Sequence, residues 1–267
     1  YSGKTPPPIV EGRIDLSDWD FVKDGPLKLD GEWHFAWKRF VDPSTPPDMV
    51  AGTFADVFEV PSYWNDGTLI RSNSRLSSIG FGTYALTIDG LGERTLGLLL
   101  PDALSALCIY STEGPGLVSM RYCKGVPADR AEDEVGYYFS YEVMPIRRLG
   151  SGATSTSSLT LMMQVSNFVH ARGGISRTIS LHSHDELSTS VLNDQLRKTF
   201  ALGILFCFGF YHLILYRSRR DDAALLFFGA FVLATIIREL STGSIRLFHT
   251  EPSELVFDVL IRLEYIS

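Results

Sequence analysis

Excess positive charge is the first thing this sequence lacks. It holds 24 Lys and Arg against 31 Asp and Glu, a formal net charge of −7, and no basic stripe runs through it. A nucleic-acid footprint needs such a stripe to replace the counterions of a phosphate backbone, so nucleic acid is excluded as a partner. Enzyme signatures are equally scarce. There is no G-x-S-x-G, no H-E-x-x-H, no Walker glycine loop and no C-x-x-C. Glycoside hydrolysis needs two carboxylates across a sugar bond, whereas acidic residues here are spread over loops. No catalytic residue is expected in this chain. Histidine is sparse too, at six, so His182 and His184 in LHSH are expected at the surface, with no metal or other cofactor. The acidic run Asp129, Glu132, Asp133 and Glu134 offers hard oxygens but lacks the spaced Asp/Asn-Gly pattern of a calcium loop, and reads as a solvated turn. No internal repeat is visible.

Cysteine occurs three times. Cys207 lies in an apolar stretch, while Cys108 and Cys123 are separated by a Gly-Pro-Gly turn that would let two antiparallel strands be stapled. Closing a loop of this length stabilises by about 3 kcal/mol in the chain-entropy model. The alternative is two separate buried thiols; an exported domain favours the disulfide. The chain opens on Tyr1 with neither Met nor an apolar leader, as after removal of a signal peptide or at a start chosen for expression. It stops at Ser267 inside a half-apolar segment, which reads as a truncation with an output end missing.

What the sequence does have is a long uncharged stretch from Phe200 to Tyr216, FALGILFCFGFYHLILY, closing on Arg217, Arg219 and Arg220. As a helix it is roughly 26 Å long, close to the roughly 30 Å bilayer core, and it is apolar on every side. It reads as a membrane span. Ala223 to Ile237 is a shorter apolar run, and the polar RSRRDD between them suits a tight hairpin. A third segment begins near Leu255, where Asp258, Arg262 and Glu264 could pair within a bundle. The arginine cluster puts the hairpin in the cytoplasm and everything before residue 199 outside, although Arg197 and Lys198 flank the other end.

The preceding part is β-rich. Three consecutive prolines make residues 1–13 an extended lead-in. From IDLSDWDF onward, short apolar and aromatic runs alternate with Gly, Pro and Asp signals and no persuasive amphipathic helix. Residues 42–53 read as a Pro-rich loop, residues 65–78 as a polar loop, and GSGATSTSS as flexible. This pattern predicts an all-β sandwich. Four segments follow: lead-in 1–13, β-sandwich sensor domain 14–184, juxtamembrane helix 185–198, and the start of a transmembrane helical region at 199–267.

Three motifs in succession, Leu29-Asp30-Gly31-Glu32-Trp33, Val60-Pro61-Ser62-Tyr63-Trp64-Asn65 and Gly82-Thr83-Tyr84-Ala85-Leu86, resemble the "G-x-W, VP-x-x-W, G-x-x-x-Y" order of galactose-binding-like jelly rolls. Leu161 to Gly174 resembles the last core strand of that module. With Gly203, Tyr211-His212-Leu213 and Ile237-Arg238-Glu239-Leu240 in the apolar runs, the chain is similar to bacterial seven-transmembrane receptors with diverse intracellular signalling modules (7TMR-DISM). The resemblance implies a periplasmic jelly-roll sensor in the bacterial inner membrane, with a carbohydrate-like ligand, a lipid bilayer and a homodimer as partners. The alternatives are an ectodomain that binds another protein, and a membrane-anchored glycosidase fragment.

Sugars are held by aromatic faces together with amide and charged groups, which makes Trp37, Tyr63, Trp64, Asn65 and Asp66 candidates on the first loops. Asn167, His170 and Arg172 join them around the Gly173-Gly174 turn. Each has a plainer alternative. Trp33 and Trp64 would serve as core anchors, Asn167 would tie a turn, and His170 and Arg172 would face solvent.

Overall fold

A computed structural model describes residues 3–91, 96–100, 106–113, 117–136, 142–146 and 158–241. The expected third apolar segment near Leu255, the Gly-Pro-Gly turn 114–116 and the Gly/Ser/Thr-rich run from residue 150 to 157 lie outside the described residues. The chain divides into two compact units, residues 1–188 and 189–267.

The first unit opens with β1 (Arg13–Asp15), α1 (Phe21–Asp24), β2 (Leu27–Lys28) and β3 (Gly31–Trp37). Next come α2 (Pro47–Thr53), β4 (Asp56–Val60), β5 (Ser62–Tyr63), β6 (Gly80–Asp89), β7 (Leu96–Leu100), β8 (Ala106–Glu113) and β9 (Leu117–Lys124). It closes with β10 (Glu142–Ile146), β11 (Leu159–Asn167), β12 (Gly174–Ile175) and β13 (Ser180–Ser183). The large sheet has the order β4-β3-β6-β11-β8-β9, with β1 running parallel beside the end of β6. A four-stranded sheet has the order β10-β7-β13-β2, and β5 pairs with β12 as a small ribbon. The first unit is thus a β-sandwich, as its alternating runs predict.

Period-2 alternation explains the core. Trp33 and Phe35, Tyr84, Leu86 and Ile88, Leu107 and Ile109, and Leu159, Leu161, Met163 and Val165 are all buried from the large sheet. Leu96, Leu98, Leu100, Met144 and Leu181 meet them from the smaller one. The opposite face of the large sheet carries Ala36, Ala85 and Met162, covered by Val41, Val50 and Phe54. Val50 belongs to α2, in a region read from sequence as a Pro-rich loop. Pro47 stands in the first turn of this helix, where its missing N–H costs nothing. The segment Ile175 to Leu181, which reads as one strand, is split between the ribbon and the four-stranded sheet.

Cys108 and Cys123 sit directly opposite each other in β8 and β9, with Cα atoms 4.0 Å apart, and are joined by a disulfide. Cys207 is a free thiol.

Two helices are described in the remainder. α3 (His184–Ser218) is one unbroken helix of 35 residues, so the expected juxtamembrane helix and first apolar run form a single element. α4 (Ala223–Ser241) follows a short turn in which the Asp222 carboxylate caps the Ala224 N–H at 3.1 Å. α3 and α4 approach closely at two glycines. A Cβ on Gly209 would lie 3.1 Å from Val232, and one on Gly229 would lie 2.8 Å from Leu213. On these two helices Phe200, Phe206, Phe208, Phe210, Phe227, Phe228 and Phe231 are all exposed.

Candidate functional site

The two candidate loops meet at one end of the sandwich. Register pairs Gly174 with Tyr63 and Ile175 with Ser62, and the Trp64 N–H donates to the Gly173 carbonyl at 2.9 Å. Both glycines are needed for this approach. A Cβ on Gly173 would collide with the Ser78 carbonyl oxygen and the Trp64 indole. Gly174 has φ +102°, which L side chains rarely adopt.

Trp64 is fully buried. Its Nε1–H donates to the Tyr84 hydroxyl at 2.6 Å, and the Ile175 backbone N–H reaches the same oxygen. Burial pushes the Tyr84 phenol well above its ordinary value, partly offset by these two bonds. Trp64 therefore presents no face to a ligand. That corrects its expected stacking role and favours the core-anchor alternative.

Asn167 is also fully buried. Its Nδ2 donates to the Ser78 carbonyl at 2.7 Å and to the His170 carbonyl at 2.9 Å, while its Oδ1 accepts from the His170 N–H at 2.9 Å. This closes the turn after β11 and pins it to the loop before β6. His170 is 6% exposed. Asn167 and His170 build the loop and do not line it, which corrects both expectations.

The remaining candidates reach solvent. Asn65, Asp66 and Arg172 are exposed, and Trp37 and Tyr63 are half-buried. Trp37 packs edge-on against Trp64, with ring centroids 4.9 Å apart at 76°, and its ring fills the space a Cβ on Gly80 would need. The Arg172 guanidinium lies over the Tyr63 ring, 5.0 Å from its centroid. The surface thus keeps Tyr63 and Arg172 in contact, with Asn65 and Asp66 on the adjoining turn.

Sequence reasoning missed two supporting carboxylates. Glu134 accepts from the Ser166 hydroxyl and, at 3.0 Å, from the Phe168 N–H, so one member of the acidic run anchors the end of β11. Asp56 accepts from the N–H groups of Val57, Arg71 and Ser72 at 2.8–3.1 Å, fixing the loop after Tyr63. Burial alone would raise the Asp56 carboxyl, but bonds from Ser72 and from backbone N–H groups outweigh it and hold the group below the usual range. Neither role has a local sequence signal, because all the donors except the Val57 N–H come from elsewhere in the chain.

No protein-family model matches the chain, and no curated protein does. Among solved structures the chain is similar to a calcium-binding mutant of Bacteroides uniformis β-glucuronidase 2, at 18% identity and TM-score 0.38. That match covers 58% of this chain and 17% of the other. It is also similar to Ruminococcus gnavus β-glucuronidase in complex with D-glucuronic acid, at 11% identity and TM-score 0.36, over 58% of this chain and 29% of that one. Faecalibacterium prausnitzii β-glucuronidase is similar at 16% identity and TM-score 0.35, over 58% and 31%. The chain spans less than a third of the length of each of these proteins.

Proposed function

We propose that this chain is the input half of a bacterial membrane receptor of the 7TMR-DISM kind, with a galactose-binding-like jelly-roll sensor in the periplasm. α3 and α4 are its first two spans in the inner membrane. The observation that carries this reading is the surface of α3 and α4. Seven phenylalanines stand exposed on two helices that approach closely at glycines, an arrangement suited to lipid and unsuited to water. α3 starts directly after β13, so a shift of the last strand has a continuous helix through which to act. For signalling, ligand must favour one of two arrangements of the sensor over the other.

The sensor's ligand is a carbohydrate-like molecule held at Tyr63, Asn65, Asp66 and Arg172. Support comes from the Arg172 guanidinium lying over the Tyr63 ring, with Asn65 and Asp66 exposed on the turn that follows Tyr63, on loops fixed from beneath. A protein partner is the second reading. It is favoured by Ile79 and Val169, exposed beside the Asn167 ties at 49% and 63%.

Sidedness tests the receptor reading. In a Cys207→Ala background, a Ser218→Cys variant is exposed to an impermeant maleimide on intact spheroplasts. The arginine-rich turn should stay protected until the membrane is permeabilised. Labelling of intact spheroplasts would place the turn outside and reject the topology.

A further inference from the structure

Of the aromatic groups that could stack on a neutral sugar, Trp64 is fully buried and Trp37 is half-buried, edge-on to Trp64. Tyr63 has one face covered by the Arg172 guanidinium at 5.0 Å. Little free aromatic face is left. What the surface presents is the guanidinium itself. It lies over the Tyr63 ring at an exposed position, and a guanidinium can receive a carboxylate or sulfate through two parallel bonds. Among the described residues no ion pair or hydrogen bond to Arg172 is found, and Asp66 on the adjoining turn does not neutralise it.

Its position is also fixed. Arg172 lies between the Asn167–His170 turn and the Gly173 carbonyl bonded to Trp64, while Tyr63 is held in the ribbon opposite Gly174. An arginine clamped at both ends gives up less freedom on binding than one on a free loop.

Resting on the glycan reading above, we infer that the ligand is an acidic glycan whose anionic group, a uronate carboxylate or a sugar sulfate, is received by Arg172 stacked on Tyr63. Asn65 bonds the neighbouring hydroxyls. Asp66 sets a limit on how many anionic groups the site accepts, since a second one would meet its carboxylate.

The test uses the full chain in detergent on a glycan array carrying neutral oligosaccharides, uronate oligosaccharides with their methyl esters, and sulfated oligosaccharides with their desulfated partners. Affinities of any binders are then measured in solution. The expected result is binding to uronate or sulfated probes, with at least about tenfold loss on esterification or desulfation. Which of the two pairs responds identifies the anion. Arg172→Ala should abolish the difference within a pair, Arg172→Lys should recover only part of it, and Asp66→Asn should tighten binding. Raising NaCl from about 0.05 M to about 0.5 M should weaken it. Because Arg172 is exposed, an unchanged melting midpoint for Arg172→Ala serves as the folding control. Equal binding of both members of every pair, or acid binding that Arg172→Ala leaves intact, overturns the inference and leaves the glycan reading standing. Absence of binding to every probe overturns both.

Discussion

The Trp64 Nε1–H donates a 2.6 Å hydrogen bond to the Tyr84 hydroxyl, and both side chains are fully buried. The bond ties the turn after β5 to the middle of β6, and the Ile175 N–H brings β12 to the same oxygen. Three segments distant in sequence thus converge on one phenol. Trp64→Phe and Tyr84→Phe should each destabilise by about 1–3 kcal/mol, since each leaves a buried polar group short of a partner. In a double-mutant cycle the pair should show a coupling of about 0.5–1.5 kcal/mol. Fluorescence-monitored denaturation measures this, because all four tryptophans, Trp19, Trp33, Trp37 and Trp64, lie in the β unit.

Asn167 is the fastener of the second loop. Asn167→Ala removes an acceptor for the His170 N–H and donors to the Ser78 and His170 carbonyls, all inside the protein. The expected cost is about 2–4 kcal/mol in the same denaturation assay. Asn167→Asp keeps the acceptor but places a charge against two carbonyl oxygens, so it should be no better tolerated.

Much of the β unit is legible in the sequence, and the reason is periodicity. Leu96, Leu98 and Leu100, or Leu159 to Val165, can alternate only on a strand with one face in a core. Trp33, Trp64 and Tyr84 stand out as landmarks, and all three are fully buried. The sheet order is not legible, because it depends on which strands meet across long connections. Which of the candidate site residues reach solvent is not legible for the same reason. Polar residues near a glycine turn look alike in sequence, yet Asn167 and His170 face inward while Arg172 faces out. Only the packing of Ser78 and Trp64 against the turn separates them.

Cross-strand closure at Cys108 and Cys123 should contribute about 3 kcal/mol to the β unit. The double variant Cys108→Ser, Cys123→Ser should lower the denaturation midpoint accordingly, and reducing agent should have no further effect on it.

Acid should weaken the β unit before its carboxylates titrate. His34 is buried, stacked 5.9 Å from Phe54, and burial lowers its proton affinity. The charge of Arg71 lowers it further, while Glu11 opposes the shift. His182, expected at the surface, is buried in β13 and is shifted the same way by that burial, against the pull of Glu186. Below the ordinary histidine value of about 6.5 the unfolded chain binds more protons than the folded one. The stability from neutral His34 is therefore complete above that pH and is lost as pH falls through the lower folded value. His34→Phe should flatten the decline below about pH 6.5 by up to about 1.4 kcal/mol per pH unit. The slope left by His182 should remain.

The central claim is that the phenylalanine-covered helices α3 and α4 lie in lipid, and membrane fractionation of the expressed chain tests it most directly. The chain should stay with the membrane pellet through an alkaline carbonate wash and leave it only in detergent. A chain that is released by carbonate and runs as a single soluble species without detergent would contradict the account.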